Sequence, residues 1–521
     1  MKKILYSLIL AVGLSLTSCN EYLDVKPVGK MIPTEVSQFE NLLNYPYLIQ
    51  YFMYDNNNGS FYATLGDNLK ISPTLMEYFY NETCPNLDIL AAYIFYTPIQ
   101  RANNTPPTWI YSYRNIGYFN NVVDGVSAID QESDYAKGVM AEARAGRAWL
   151  YMYLALTYGP MYNPSGANDT PVVPLRISGD PTVDNGPLAT TEELFNQVKE
   201  DLDYACEYCP ISTHNPTRIN KAGAYALRAE YHMFKRDWAA MLNDSRTAWQ
   251  LALQDKGSVD NLIYDFKDFY YVATTAINVE PGVSPETAMN FRGPDNDFDK
   301  SSSRENLIYR TAPSNYGTGR YYPSDDWLAI FDQKSDMRWR LFALTAPGYS
   351  RAVGGVTYSD GITQLYFRGQ HLSVTESVTY PLLLLTKAEA EARNNNLSTA
   401  LSDLNTLRRY RYDYGTGQST DLTGGSSMSQ DQLLNEILTE RRREQPLVSF
   451  QRTVDLKRYV YDSGKPWSKS VITHTCGDKT YSKPITDPIF QSIPFDDAVL
   501  GYNPQWGIPL SDIPFDPVSA K

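Results

Sequence analysis

Three stretches of this chain set small side chains against large ones at helical spacing, a pattern that only closely packed helix pairs can use. Between Lys137 and Tyr158, Ala141, Ala143, Ala145, Gly146 and Ala148 stand among Trp149, Leu150, Tyr153 and Leu154. Small residues let a second helix come near, while the aromatics fill the space beside the contact. Gly159-Pro160 then ends the helix. Within 218–254, Ala222, Ala226, Ala229 and Met233 recur at helical spacing, and Asp237 is placed to cap the next helix. On that second helix Trp238, Leu242, Ser245 and Trp249 share one face. The layout returns at 380–411, where Leu382 to Ala392 precedes a break at Asn394-Asn395-Asn396, followed by Leu401, Leu404 and Leu407. Helical patterning also covers Trp109 to Ile129 and Leu433 to Arg443, and starts near Ser37.

A small-faced helix meeting a bulky-faced one is the layout of a tetratricopeptide-type unit. The units here are too far apart for a plain solenoid. Residues 55–108 and 255–325, between them, are rich in Asn, Gly, Pro, Ser and Tyr and hold no sustained period. Loops this long in a compact protein are usually functional or disordered, and their aromatic load argues for order. The sequence therefore predicts a mainly α fold: a tetratricopeptide-like helical-hairpin scaffold with long, irregular, aromatic-rich loop insertions. The scaffold falls near 109–158, 191–254 and 380–458, within one domain spanning 37–521.

The first residues read as an export signal. Met1-Lys2-Lys3 is basic, Ile4 to Leu16 is apolar but too short to span a bilayer, and Leu16-Thr17-Ser18-Cys19 follows. A basic start, a 7–15-residue apolar run and small residues before a cut site make a secretory signal over 1–18. The Leu-x-Ser-Cys ending resembles a bacterial lipobox, so Cys19 is expected to carry lipid and hold the protein to a membrane. Residues 19–36 form an extended leader, with Pro27 and Pro33 blocking regular structure. The net charge of −13 argues against nucleic acid and against anionic membrane surfaces. Cys206-Glu207-Tyr208-Cys209 has a spacing that suits zinc or a redox disulfide. Its only neighbouring imidazole is His214, so no four-ligand set is visible. The sequence calls for no metal and no cofactor, and nothing in it reads on calcium.

Motifs in order along nearly the whole chain resemble the SusD/RagB family of outer-membrane glycan-binding lipoproteins. Cys19-Asn20-Glu21-Tyr22-Leu23-Asp24 with Pro27 is similar to the family's start. Trp109, Tyr113, Ile116 and Asn120 fit its W-x3-Y-x2-I-x3-N helix, and Glu142 to Ala148 with Tyr158-Gly159 fits its E-A-x-x-x-R-A … Y-G helix. Lys221 to Leu227, then Ala388-Glu389-Ala390 with Asn405 and Arg408, match two further segments. Glu440 to Glu444, Arg452, Asp455-Leu456 and Arg458 match its E-R-R-x-E … R-x-x-D-L-x-R block, and Ile493-Pro494 with Asn503-Pro504 its close. Gln445-Pro446, Val448-Ser449 and Tyr410 depart from the family pattern. The resemblance implies capture of an oligosaccharide on the cell exterior and delivery to a SusC-like TonB-dependent outer-membrane transporter. A protein-binding tetratricopeptide scaffold is the alternative reading, with a lipid-anchored glycosidase behind it.

The run Arg441–Arg443 is expected to make ion pairs with Glu440, Glu444 and Asp455 rather than to clamp a sugar acid. Asp325-Asp326, Glu389/Glu391 and Asp496-Asp497 lack a visible partner carboxylate across a sugar at about 5–9.5 Å, so no enzyme is expected. Trp109 and Trp327 are read as core. Tyrosines, which outnumber phenylalanines 41 to 19, pair an apolar ring with a hydroxyl and so match both faces of a sugar. Two loop clusters are expected to converge into the glycan site. One holds Asp67, Asn68, Tyr78, Tyr80, Tyr93 and Tyr96; the other holds Tyr316, Arg320, Tyr321 and Tyr322. In this reading the tyrosines stack, and Asp67, Asn68 and Arg320 take the sugar hydroxyls.

Overall fold

The computed structural model describes residues 33–49, 61–79, 87–96, 107–273, 289–292, 301–310, 322–361, 363–367, 378–510 and 516. The signal segment, Cys19, Tyr80, Tyr316, Arg320 and Tyr321 lie outside the described residues.

The scaffold is helical. In chain order it comprises α1 (Pro107–Ile129), α2 (Asp134–Tyr158), α3 (Thr191–Tyr208), α4 (Lys221–Lys235), α5 (Trp238–Lys256), α6 (Tyr380–Arg393), α7 (Leu397–Arg411), α8 (Gln430–Glu444) and α9 (Gln451–Arg458). The main packed pairs are α1–α2, α2–α3, α3–α4, α4–α5, α5–α6, α6–α7 and α6–α8. Helix α2 is buried from Val139 to Tyr158 at every position but Arg144. A Cβ at Gly146 would lie 2.4 Å from the Phe119 ring, so this glycine lets α1 and α2 approach. The buried charges inside the layer are held as ion pairs. Arg147 forks onto Asp201 at 2.8 and 2.7 Å, and Glu142 accepts Arg218 at 2.6 and 2.7 Å.

The hairpins form where the spacing puts them. Ala222, Ala226 and Ala229 are at most 2% exposed in the core, and Asp237 accepts from Ala240 N at 3.1 Å to cap α5. Both hairpin bends pass through a left-handed residue, Arg236 (φ 62°) and Asn395 (φ 62°). Helix starts lie a few residues earlier than the apolar periodicity suggests, because the caps set them. Ser133 caps α2, and Ser429 with Gln432 makes a capping box for α8.

Outside the helices the described strands form two-stranded antiparallel pairs. Four strands matter here: β1 (Leu69–Lys70), β2 (Tyr322–Pro323), β3 (Val471–Cys476) and β4 (Lys479–Pro484). A main core joins the helices, and a second, aromatic core lies beneath the irregular segments. The second core includes Tyr93, Tyr264, Phe266, Tyr322, Trp327 and Phe342. Part of the aromatic load of the irregular stretches is therefore packing. Trp327 is fully buried, whereas Trp109 is half-buried against the main core.

Ion pairs tie α8 and α9 to what surrounds them. Arg441 meets Asp455 at 3.3 Å and Arg443 meets Glu440 at 2.8 Å, as the sequence suggests. Glu444 is instead held from outside its helix by Arg338 at 2.6 Å and Arg411 at 2.9 Å. Arg442 turns to Asp326 and Asp67.

Candidate ligand-binding site

The described stretches Asp67–Lys70 and Tyr322–Ser324, one from each cluster, meet at a seam. Strands β1 and β2 pair antiparallel, with Leu69 opposite Pro323 and Lys70 opposite Tyr322. Ser324 locks the junction. Its N–H donates to Asn68 O at 2.8 Å and its hydroxyl to Asp67 O at 2.6 Å, while the same Oγ accepts from Trp327 N at 3.2 Å. Lys70 meets Asp325 at 2.8 Å across the strands. In sequence, Tyr78 and Tyr80 follow β1, and Tyr316, Arg320 and Tyr321 precede β2. The helix Pro73–Phe79, which contains Tyr78, runs into Tyr80, and β2 follows directly on Tyr321. The side chain of Tyr78 lies outside the described residues.

Around Asp67 the seam is charged. The Asp67 carboxylate accepts Arg452 at 2.7 and 2.9 Å and Lys469 at 2.6 Å, with Arg442 at 3.3 Å. Arg442 also donates to Asn68 Oδ1 at 2.9 Å and to Asp326 at 2.8 Å. Asp67, Asn68, Arg442 and Arg452 are all buried. A buried carboxylate persists only when paired, so the acceptors expected to take sugar hydroxyls are used inside the protein. Tyr322 is 1% exposed, and its hydroxyl bonds Asp360 and the Tyr349 N–H. Tyr93 is likewise interior. Its hydroxyl accepts from Ile71 N at 3.2 Å and donates to Thr475 O at 2.8 Å, and its ring stacks on His474 at 4.6 Å. Tyr96 is half-buried just beyond the helix Leu87–Tyr93. The structure thus brings Asp67, Asn68 and Tyr322 together at the seam, buried and facing inwards. Their long-range partners are what sequence reasoning missed; only the Arg442 and Arg452 charges hinted at them.

Burial alone would raise the Asp67 carboxyl, but the guanidiniums of Arg452 and Arg442 outweigh it and hold it well below the usual carboxylate range. Burial is overcome in the same way at Glu389 by Arg458 and Arg393, and at Glu440 by Arg338 and Arg443, each ending at about 2. A folded pKa below the unfolded one of about 4 contributes stability that is complete above that value and is lost as pH falls through the folded pKa. The urea midpoint is therefore expected to drop steeply between about pH 4 and pH 2. A midpoint at pH 2 equal to that at pH 6 would contradict these pairings.

The other acids are also committed. Glu389 bonds Arg458 and Arg393, Glu391 bonds Arg246, and Asp496 caps Val499 N at 2.9 Å. Cys206 and Cys209 are buried free thiols, and burial pushes that of Cys206 up to about 12. Among the described residues no group of three or more His, Cys, Asp or Glu is arranged to hold a metal, and no helix is long and apolar enough to cross a membrane. Two concavities stand out. One of about 900 Å³ lies along α7, by Asp260, Lys267, Arg409 and Tyr410; another of about 530 Å³ lies along α1.

A family described as starch-binding and associating with the outer membrane matches residues 21–232, and the SusD family matches residues 383–498. The SusD-like protein P2 of Formosa agariphila is 25% identical over 374 residues, covering 67% of this chain and 70% of that protein. A SusD-like carbohydrate binding protein from Bacteroides vulgatus superposes with a TM-score of 0.59 at 15% identity, covering 91% of this chain and 97% of the other. A SusD superfamily protein from Bacteroides fragilis gives 0.60 at 19% identity, covering 91% and 99%. At these identities the structural likeness speaks for the fold. With two family matches in order along the chain and the same helical architecture, this protein belongs to the SusD/RagB family.

Proposed function

We propose that this chain is a cell-surface lipoprotein that captures oligosaccharide and delivers it to a SusC-like TonB-dependent outer-membrane transporter. The observation that carries the reading is the β1–β2 seam, which joins the flanks of two tyrosine-rich sequence stretches over the paired charges of Asp67, Arg452 and Lys469. A base held by paired charges is preorganised, and preorganisation lowers the ordering cost of binding. In this reading Tyr78, Tyr80, Tyr96, Tyr316 and Tyr321 form stacking faces and Arg320 bonds sugar hydroxyls. Asp67, Asn68 and Tyr322 hold the loops from below. The family described as starch-binding and associating with the outer membrane supports both the ligand class and the location. Delivery to the barrel rests on the family resemblance.

The lipid on Cys19 is the anchor in this account. Cys19→Ala is expected to release the protein from membranes or leave it unprocessed, read by detergent-phase partitioning. Equal partitioning of variant and wild type would remove the anchor. Detergent-solubilised outer membranes are expected to yield a TonB-dependent barrel co-purifying with the wild-type chain. Isolation of the chain without a barrel would leave capture but refute delivery.

A further inference from the structure

The concavity along α1 has the build of a second ligand pocket. It lies where α1 meets the segment Pro174–Asn185 and is walled by Trp109, Tyr113, Tyr118, Arg114, Asn121 and Arg176. Its volume, about 530 Å³, falls in the range of small-molecule sites, which combine apolar walls with a few fixed polar groups. The walls are rigid. Asn120 Nδ2 donates to Arg176 O and Ser178 O at 3.1 Å each, and Asp124 accepts from Gly179 N at 2.7 Å. Tyr113 donates to Pro174 O at 2.7 Å, and Tyr151 bonds both backbone groups of Arg176 at 2.7 Å. Trp109 is braced by Tyr113 at 4.6 Å and by Trp506 edge-on at 6.2 Å.

Gly117 makes the pocket look purposeful. Glycine weakens a helix interior, and the other glycine of α1, Gly125, has a packing reason: a Cβ there would lie 2.1 Å from Phe39, as one at Gly146 on α2 would lie 2.4 Å from Phe119. A Cβ at Gly117 would meet no atom within 4 Å. This glycine gives up helix stability with no close contact to justify it, and what it leaves open is the pocket it lines.

Two arginines line the pocket, and the carboxylates of Asp124 and Asp180 stand just outside the lining, Asp124 on Gly179 N at 2.7 Å and Asp180 within reach of the Arg176 charge. No acidic side chain lines it among the described residues, although the whole chain carries a net charge of −13. Arg176 donates to neutral oxygens, Asn185 Oδ1 at 3.0 Å and Asp180 O at 3.1 Å. Arg114 likewise donates to Asn115 Oδ1 and Tyr47 O, each at 3.3 Å, and stacks on the Tyr47 ring at 4.6 Å. Guanidinium groups recognise carboxylates in a planar, two-pronged way.

We propose that this pocket binds a saccharide ring bearing an acid group, with Trp109 and Tyr118 covering the ring and Arg176 and Arg114 meeting the acid. The pocket is lined by residues outside the two tyrosine clusters and goes beyond the capture reading given above. Calorimetry on the purified chain with D-glucuronate and D-glucose as probes tests it. Glucuronate is expected to bind at least tenfold more tightly than glucose. Gly117→Leu, which fills the open space, is expected to abolish that binding without lowering the melting temperature. Arg176→Gln, a second variant outside the helix, is expected to reduce the preference for the acid. Tyr80→Ala with Tyr321→Ala is expected to leave glucuronate binding intact, so failure of the loop site and failure of this pocket read differently. Equal affinity for both sugars, no binding of either, or full binding by a folded Gly117→Leu protein would each overturn the proposal.

Discussion

Asp67→Ala is expected to destabilise the protein by about 3–5 kcal/mol, the cost of leaving a buried ionic partner uncompensated. The substitution strands Arg452, and deprives Arg442 and Lys469, at the point where β1 and β2 join. Asp67→Asn keeps the shape but not the charge, and is expected to lose most of the same stability. The urea midpoint of each variant at pH 7 checks this. If Asp67 were a sugar ligand rather than a support, the midpoint would stay at the wild-type value and only glycan affinity would fall.

Adjacent tyrosines are expected to behave in opposite ways. Tyr322→Ala empties a site in the aromatic core and should cost about 3–5 kcal/mol, as for other large aromatic truncations. Tyr80→Ala combined with Tyr321→Ala should leave the melting temperature near wild type. It should nonetheless weaken glycan binding by well over tenfold, about 1.4 kcal/mol per decade. Calorimetry and thermal melts on the same samples separate the two effects. Wild-type affinity in a folded Tyr80/Tyr321 variant would move the site off these loops.

The scaffold was legible because its information is local. Ala222, Ala226 and Ala229 declare a close contact within one helix, Asp237 declares a cap, and Asn394–Asn396 declare a bend. The seam was harder to read because its determinants are remote: Asp67 and Arg452 are 385 residues apart. Nothing in the local pattern around Asp67 distinguishes a support from a ligand, since an acid amid aromatic loops suits both. Tyr322 was misplaced for a related reason. Strand β2 is two residues long, too short for the alternation that tells an inward side chain from an outward one. The Arg441–Arg443 run was read correctly for Glu440 and Asp455, wrongly for Glu444, which Arg338 and Arg411 hold, and incompletely where Arg442 leaves the helix for the seam. The pocket along α1 left one local sign, an interior glycine in a long helix, and the segment that closes it lies about sixty residues further on.

Incubation with labelled oligosaccharides, followed by recovery and sizing of the sugar, tests the central claim most directly. Capture predicts that the folded wild-type protein retains label, that the sugar returns at its original length, and that the Tyr80/Tyr321 variant retains far less. Recovery of shortened products would make the protein a hydrolase, and absence of retention across neutral and acidic oligosaccharides would contradict glycan capture.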